Sequence, residues 1–509
     1  MMPFAEKLSF LMHITETTNK ELAIALSVDP SLISLMRTGK RKLSKNPLQS
    51  RKMALFFARR CPAAFQRQAL SEMLDQTSIS LSMPVDELAN SLECWLRGDM
   101  DMANTILSSL QTLPLQPNLQ PQADSFSAPS PVSLCTSQNH TMFFYGENGR
   151  REAMTRVFQE IQSMKESGSI LTVVDDNLDW LLSDFILSKK IQSGLMDAIE
   201  RGFVFHQIMP PLNYINRYTE SLKFWIPIYA TGKTNVYYYP RLRGNLYRHS
   251  IVVVPGCCVQ YASSVSIGST SDITMFSTDL KLVSAFEKQF HEHLSLCRPS
   301  LHVNRNPSDF VPCFLDFFSH RGDTVQEVNS LSINTMPRVL LERLISESPI
   351  PKLSHIFQMY LDEMPRFEER FSQEPYIDMC YLASAEDVRA GIIPIAAPLQ
   401  ADNDHPCYTP ETYCLHLRNI IHLMDRYPNY SFLPLHEFTP DYNLFVNEGG
   451  AALLVRTIDP ILLMEIRRPA MITAFWENQL RKAESLGYDG IHREKIRMTL
   501  RSLIQELDG

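Results

Sequence analysis

Between Thr18 and Arg41 the chain reads TNKELAIALSVDPSLISLMRTGKR, and no other stretch narrows the fold as much. Thr18 and Glu21 stand three apart, the capping-box spacing, so a helix opens there. Leu22, Ala23 and Leu26 give that helix one apolar face. The pattern breaks at Ser27-Val28. Asp29 is then placed to cap a second helix, whose first residue, Pro30, loses nothing by lacking an N–H. Ile33 and Met36 are three apart and face inward. Ser31, Ser34, Leu35 and Arg37 therefore face outward, with Thr38 beside them. Gly39 ends the helix, and Lys40, Arg41 and Lys42 follow at once. The stretch predicts two short helices, a tight turn and a basic tail.

Glu21-Leu22-Ala23, Val28, Ile33-Ser34 and Gly39-Lys40-Arg41 fall at the spacing of the lambda-repressor-like (Xre) family, and residues 4–70 resemble its DNA-binding helix-turn-helix domain. One position departs. The family usually has Gly at the turn, where Ser27 stands here. A non-Gly residue in a left-handed conformation costs on the order of 1 kcal/mol, so the turn is expected to differ slightly. The resemblance implies double-stranded DNA as a partner and a homodimer on a paired site. It implies base readout by Ser31, Ser34, Leu35, Arg37 and Thr38, and phosphate contacts by Lys40, Arg41, Lys42, Lys45, Arg51 and Lys52.

Charge agrees with that division. Residues 1–70 hold twelve Lys/Arg and four acids, a net of +8, while the whole chain carries −8, so the remaining 439 residues carry −16. A basic head on an acidic body suits a polyanion-binding module joined to something that does not bind polyanions. The length of 509 residues allows several domains, and apolar content of 44% with charged content of 20% is ordinary for a soluble protein. No run of about 18 apolar residues suggests a membrane span, and Glu6 argues against a secretory leader. Ten scattered cysteines without a CxxC pair imply free thiols in the cytoplasm, with no metal or other cofactor.

The expected architecture is multidomain: an all-α helix-turn-helix head followed by a large α/β (α+β) body, itself two diverged copies of one unit. The head spans 1–75, with a first helix over Pro3–Ile14. A later helix opens at Asn46-Pro47, with Leu48, Leu55 and Phe56 inward and Arg51, Lys52, Arg59 and Arg60 toward solvent. Residues 76–112 form a helical extension on Leu88, Leu92 and Leu96, or a dimer contact. Prolines 114, 117, 121, 129 and 131 mark a linker over 113–140. The body then divides into 141–300 and 301–509. Both parts carry strand, turn, strand and then a helix with an Ala-Phe pair, Ala285-Phe286 in one and Ala474-Phe475 in the other.

The element order over 141–300 resembles one half of a phospholipase-D-like fold, which some bacterial regulators use as a sensor. In active members a His nucleophile, a Lys two residues on and an Asp five further on serve a phosphodiester. The matching stretch begins at His249, but Ile251 stands at the Lys place and Gly256 at the Asp place, and the second copy has Asn443 where a His is needed. The expectation is a body without catalysis. Asp175, Trp180, Trp225, Tyr238 and His249 are the candidates for a pocket taking a small-molecule or peptide effector. His291 and His293, two apart on a helix, point to different faces and do not share a metal. A phosphodiesterase or nuclease guided by the head is the rival reading, and a protein-interaction module of a toxin–antitoxin or defence system is the third.

Overall fold

The structure is a computed structural model and describes residues 4–38, 41, 47–63, 66–67, 69–70, 83–97, 100–113, 140–175, 179–209, 218–240, 247–265, 273–347, 351–395, 406–437, 442–488 and 493–508. The linker expected at 113–140 lies almost wholly outside them, as do Gly39, Lys40, Lys42, Lys45 and Asp176.

The amino-terminal helices are α1 (Phe4–Ile14), α2 (Asn19–Leu26), α3 (Pro30–Arg37), α4 (Pro47–Arg59) and α5 (Val85–Arg97). The capping box before α2 is formed. The Glu21 N–H donates to Thr18 Oγ1 at 3.3 Å, and the Thr18 N–H donates to Glu21 Oε2 at 2.8 Å. Ser27 adopts the left-handed conformation that the turn demands, at φ 55° and ψ 47°. The Val28 N–H then reaches back to the Ala23 carbonyl at 2.9 Å, which closes the end of α2 and tucks Val28 against the core. Asp29 Oδ1 accepts from the Ser31 N–H at 2.8 Å and starts α3.

Leu8, Leu11, Leu22, Ile33, Met53 and Phe57 are fully buried together, each worth roughly 1.5–3 kcal/mol over leaving it exposed. Two sequence expectations change here. On α4 the buried face is Met53, Ala54, Phe57 and Ala58, while Leu55 and Phe56 are only half-buried. The reason is that α4 packs on α5 as well as on α2, which rotates its inward face. Leu88, Leu92 and Leu96 of α5 belong to this same core rather than to a separate extension. Helix α6 (Met100–Gln111) follows.

The chain divides into two compact units, one built mainly from residues up to 299 and the other mainly from 300–509. The first holds β1 (Thr141–Tyr145), α7 (Gly146–Ser163), β2 (Ser169–Val174), α8 (Asp179–Leu182), α9 (Phe185–Glu200), β3 (Val204–Met209), α10 (Tyr218–Tyr229), β4 (Thr234–Tyr238), β5 (Tyr247–Val254), β6 (Cys258–Val265), β7 (Ile273–Ser277) and α11 (Leu280–Leu294). Its strands lie in the order β1-β7-β6-β5-β2-β3-β4. Strands β2, β3 and β4 run parallel, and the other pairings are antiparallel.

The second unit holds β8 (Arg298–Asn304), α12 (Phe310–Ser319), β9 (Thr324–Val328), α13 (Arg338–Glu347), α14 (Pro351–Gln373), β10 (Tyr376–Tyr381), α15 (Ala385–Arg389), α16 (Pro410–Arg426), β11 (Tyr430–Leu435), β12 (Tyr442–Asn447), β13 (Ala452–Arg456), β14 (Leu462–Ile466), α17 (Pro469–Ser485) and α18 (Arg493–Asp508). Its order is β8-β14-β13-β12-β9-β10-β11, which repeats the first unit strand for strand. The sense repeats too: β9, β10 and β11 are parallel, and the rest are antiparallel. Among the described residues no helix is long and apolar enough to cross a membrane.

Candidate functional site

On the head, the periodicity of α3 decides what reaches solvent. Ile33 and Met36 are buried at 0% and 1% exposure, which turns Ser31, Ser34, Leu35, Arg37 and Thr38 outward. Arg37 is steadied by Asn19 of α2, its Nη1 donating to Asn19 Oδ1 at 3.0 Å. Thr38 turns its hydroxyl back onto the Ser34 and Leu35 carbonyls, both at 3.1 Å. Arg41 and Lys52, which follow this row in the sequence, are exposed.

Four other basic residues of the head, Lys7, Arg51, Arg60 and Arg67, have partners within it. Lys7 is 4% exposed and donates to the Trp95 carbonyl at 2.6 Å. Arg67 is 6% exposed, its Nε on the Cys61 carbonyl at 2.7 Å. Arg60 donates to Glu21 Oε1 at 3.2 Å and covers the Phe56 ring. The two hydrogen bonds from Thr18, and then Arg60, pull the Glu21 carboxyl down to about 2. Arg51 is half-buried and pairs with Glu93 of α5 at 3.5 Å. Sequence reasoning counted Arg51 and Arg60 as free cations because it did not place Glu93 and Glu21 beside them.

In the first α/β unit, His249 lies on β5 with its ring stacked on Tyr261 at 6.4 Å between centroids. Its carbonyl accepts from the Asp175 N–H at 3.2 Å, which ties Asp175 to the β5 backbone. Ile251, at the place of a catalytic Lys, is 3% exposed in a cluster with Val253, Val283 and Phe290. Gly256, at the place of a catalytic Asp, sits in the β5–β6 turn with φ +67°. In the second unit Asn443 is fully buried on β12, its Oδ1 accepting the Asn329 N–H at 2.8 Å. Among the described residues no group of three or more His, Cys, Asp or Glu could hold a metal ion.

The opposite face of the first unit's sheet carries a cavity with about 610 Å³ of atom-free space, part of it open to solvent. Residues of β2, β5 and β3 form its floor, including Thr172, Val252 and Phe205, and α7, α8, α9 and α10 close over it. Trp180 and Trp225 both line it, whereas Asp175, Tyr238 and His249 do not. Alternation along β5 explains the split: Ser250 and Val252 face the cavity, while His249 and Ile251 face the α11 side. Trp225 stacks on Phe205 at 5.7 Å with 15° between planes. Arg150 enters at one end, 2% exposed, with Nη2 donating to Ser250 Oγ at 2.6 Å and its guanidinium 4.6 Å from the centre of the Trp180 ring. The Trp180 indole N–H is buried and has no hydrogen-bond acceptor among the described residues. Arg150 and Ser250 escaped the sequence reading because nothing in the sequence brings positions 100 residues apart together.

The second unit keeps its own buried polar set. Asp378 of β10 is fully buried and accepts from Gln326 Nε2 at 2.6 Å, Cys380 Sγ at 2.9 Å and the Tyr430 hydroxyl at 3.0 Å. Burial raises its pKa above the ordinary carboxylate range, and those three donors hold it back. His416 of α16 is fully buried, with Nδ1 2.8 Å from the Tyr408 hydroxyl and Nε2 3.0 Å from Thr335 Oγ1. Desolvation holds its imidazole down at about 3. No signal in the sequence marked either residue.

No family model and no curated protein matches the chain. Among solved structures it is similar to TrmBL2, an archaeal chromatin protein described as showing a novel mode of DNA binding. The identity is 14% and the TM-score 0.23, covering 32% of this chain and 56% of that one. NucT from Helicobacter pylori is 13% identical at TM-score 0.23, with 31% of this chain and 98% of that one covered. Nuc from Salmonella typhimurium, a phospholipase D family member, is likewise 13% identical at TM-score 0.23, with 31% and 96% covered. Scores this low decide nothing about what the chain does.

Proposed function

We propose that this chain is a sequence-specific DNA-binding transcriptional regulator: α2 and α3 act as a helix-turn-helix, and the α/β body senses an effector and pairs two copies without catalysing a reaction. The observation that carries the reading is the exposed row Ser31, Ser34, Leu35, Arg37 and Thr38, held rigid by buried Ile33 and Met36 and by caps at the start of both helices. A helix lodged in a major groove reads bases with such a row, and flanking cations hold the phosphates. Leu35 suits a thymine methyl, and Arg37 suits a guanine edge. A phosphodiesterase body is disfavoured by chemistry: a buried isoleucine and a turn glycine cannot orient a phosphate or neutralise it.

The test uses the full chain and a duplex selected from a random pool, with affinity followed across a salt series. Arg37→Ala should cost about 1–3 kcal/mol on the selected duplex and relax preference at one position. Arg41→Ala should weaken all duplexes alike and flatten the log–log salt slope by about 1. If both variants bind as wild type does, the reading face is misassigned; a wild type with no salt-sensitive duplex affinity ends the proposal.

A further inference from the structure

The cavity of the first α/β unit is built for more than an apolar filler. At the Arg150 end three of its groups can donate. The guanidinium donates by nature. Ser250 Oγ accepts from Arg150 at 2.6 Å, which leaves its own O–H to point elsewhere. The Trp180 indole N–H is buried and, among the described residues, has no acceptor. A buried donor left unmet costs about 1–3 kcal/mol. Thr172, on the floor, gives its O–H to the His206 carbonyl at 3.3 Å and offers a ligand only oxygen lone pairs. A group with two accepting oxygens side by side meets more of these donors than an alcohol, which has one oxygen, or an ammonium, which has no acceptor. Beyond it the walls are apolar and partly planar, with Phe205 and Trp225 lying 15° from parallel.

We propose that this cavity binds a small organic acid, a carboxylate carried on a flat apolar body, with the carboxylate between Arg150, Trp180 and Ser250 and the body against Phe205 and Trp225. This supplies the ligand for the sensing role given to the body above, and it rests on that reading only for what binding would control.

The probes are 2-naphthoate and its uncharged counterpart 2-naphthylmethanol, added to the full chain and followed by calorimetric titration and by thermal unfolding. The acid should bind at least tenfold more tightly than the alcohol and raise the melting temperature. Trp180→Phe keeps the ring and removes the N–H, so it should weaken the acid several-fold and leave the alcohol unchanged. Arg150→Gln should bring the acid down to the level of the alcohol. Val157→Phe fills the cavity from α7 and should abolish both. The proposal is overturned if neither probe binds, if the alcohol binds as tightly as the acid, or if Val157→Phe folds and binds both like wild type. Should Arg150→Gln fail to fold, Trp180→Phe and the acid–alcohol ratio still decide. Acid binding that leaves duplex affinity untouched upholds the site and removes its sensing role. Absent duplex binding sinks the regulator reading, and the titration still judges the cavity.

Discussion

His416 offers a direct measure of how tightly the second unit is packed. Its ring is fully buried between the Tyr408 hydroxyl and Thr335 Oγ1, and its pKa is held down at about 3 against 6.5 for a free imidazole. A depressed pKa means that the folded chain binds this proton later than the unfolded chain does. Stability from the neutral ring is therefore fully present above pH 6.5 and is lost as pH falls from there toward 3. Lowering pH from 8 to 6 should remove about 0.8 kcal/mol, and lowering it to 5 about 2 kcal/mol, because the unfolded ring is then almost fully charged.

The chain has 14 histidines, so the total pH dependence is not diagnostic, but a difference is. His416→Gln keeps groups able to meet Tyr408 and Thr335 and cannot titrate. Urea unfolding of the full chain at pH 8, 6 and 5, followed by circular dichroism, gives the comparison. The variant should be less stable at pH 8 and should lose about 2 kcal/mol less than wild type between pH 8 and 5. Equal slopes for the two proteins would mean that the ring is reached by protons in the native state, and the packing argument would fail.

The head yields further expectations. Arg51 already faces Glu93 at 3.5 Å, so Arg51→Ala should change the salt slope of duplex binding much less than Lys52→Ala, which should flatten it by about 1; equal slopes would return Arg51 to the phosphate contacts. Ser27 holds φ 55° without being glycine, so Ser27→Gly should stabilise the head by about 0.5–1 kcal/mol in a urea titration, and a loss of stability would refute the left-handed turn.

Why the head was legible and the body less so follows from particular residues. Around Ser27 every signal is local: a capping box three residues long, a proline at a first turn, two inward residues three apart. Local signals survive without knowledge of the fold. The inward face of α4 did not, because α5, some thirty residues on, selects Met53 and Phe57 over Leu55. Strands β11, β12 and β13 stood out through apolar runs and the Gly449-Gly450 turn. Strands β9 and β10 did not, because Gln326, Glu327 and Asp378 interrupt them. Those side chains are nonetheless buried, since Ser332, Lys482 and Tyr430 arrive from elsewhere in the unit to meet them. Polar residues in a strand look like a surface until their partners are known.

The repeated strand order gives those interruptions a second meaning. In each unit the layer between the sheet and the helix after its first strand departs from an apolar filling. In the first unit, Thr172 pairs opposite Val252 on β5, and α7 places Phe158 over a cavity that Arg150 and Ser250 edge. In the second, Gln326 pairs opposite Phe445, α12 places Phe314 on that ring at 5.0 Å, and Asp378 with Tyr376, Tyr430 and Asn334 fills the space beside it. In the second unit most of that network's donors and acceptors come from the chain, although Asn334 Oδ1 is buried without a partner among the described residues and, with Phe314 and Phe445, edges a smaller space of about 360 Å³. In the first unit the buried Trp180 indole N–H has no acceptor among the described residues. Two units with one strand order need not diverge in this layer to remain folded, since a plain apolar filling serves either. The first unit's larger cavity, with buried Arg150 at its end, is what singles it out as the place where something from outside completes the set.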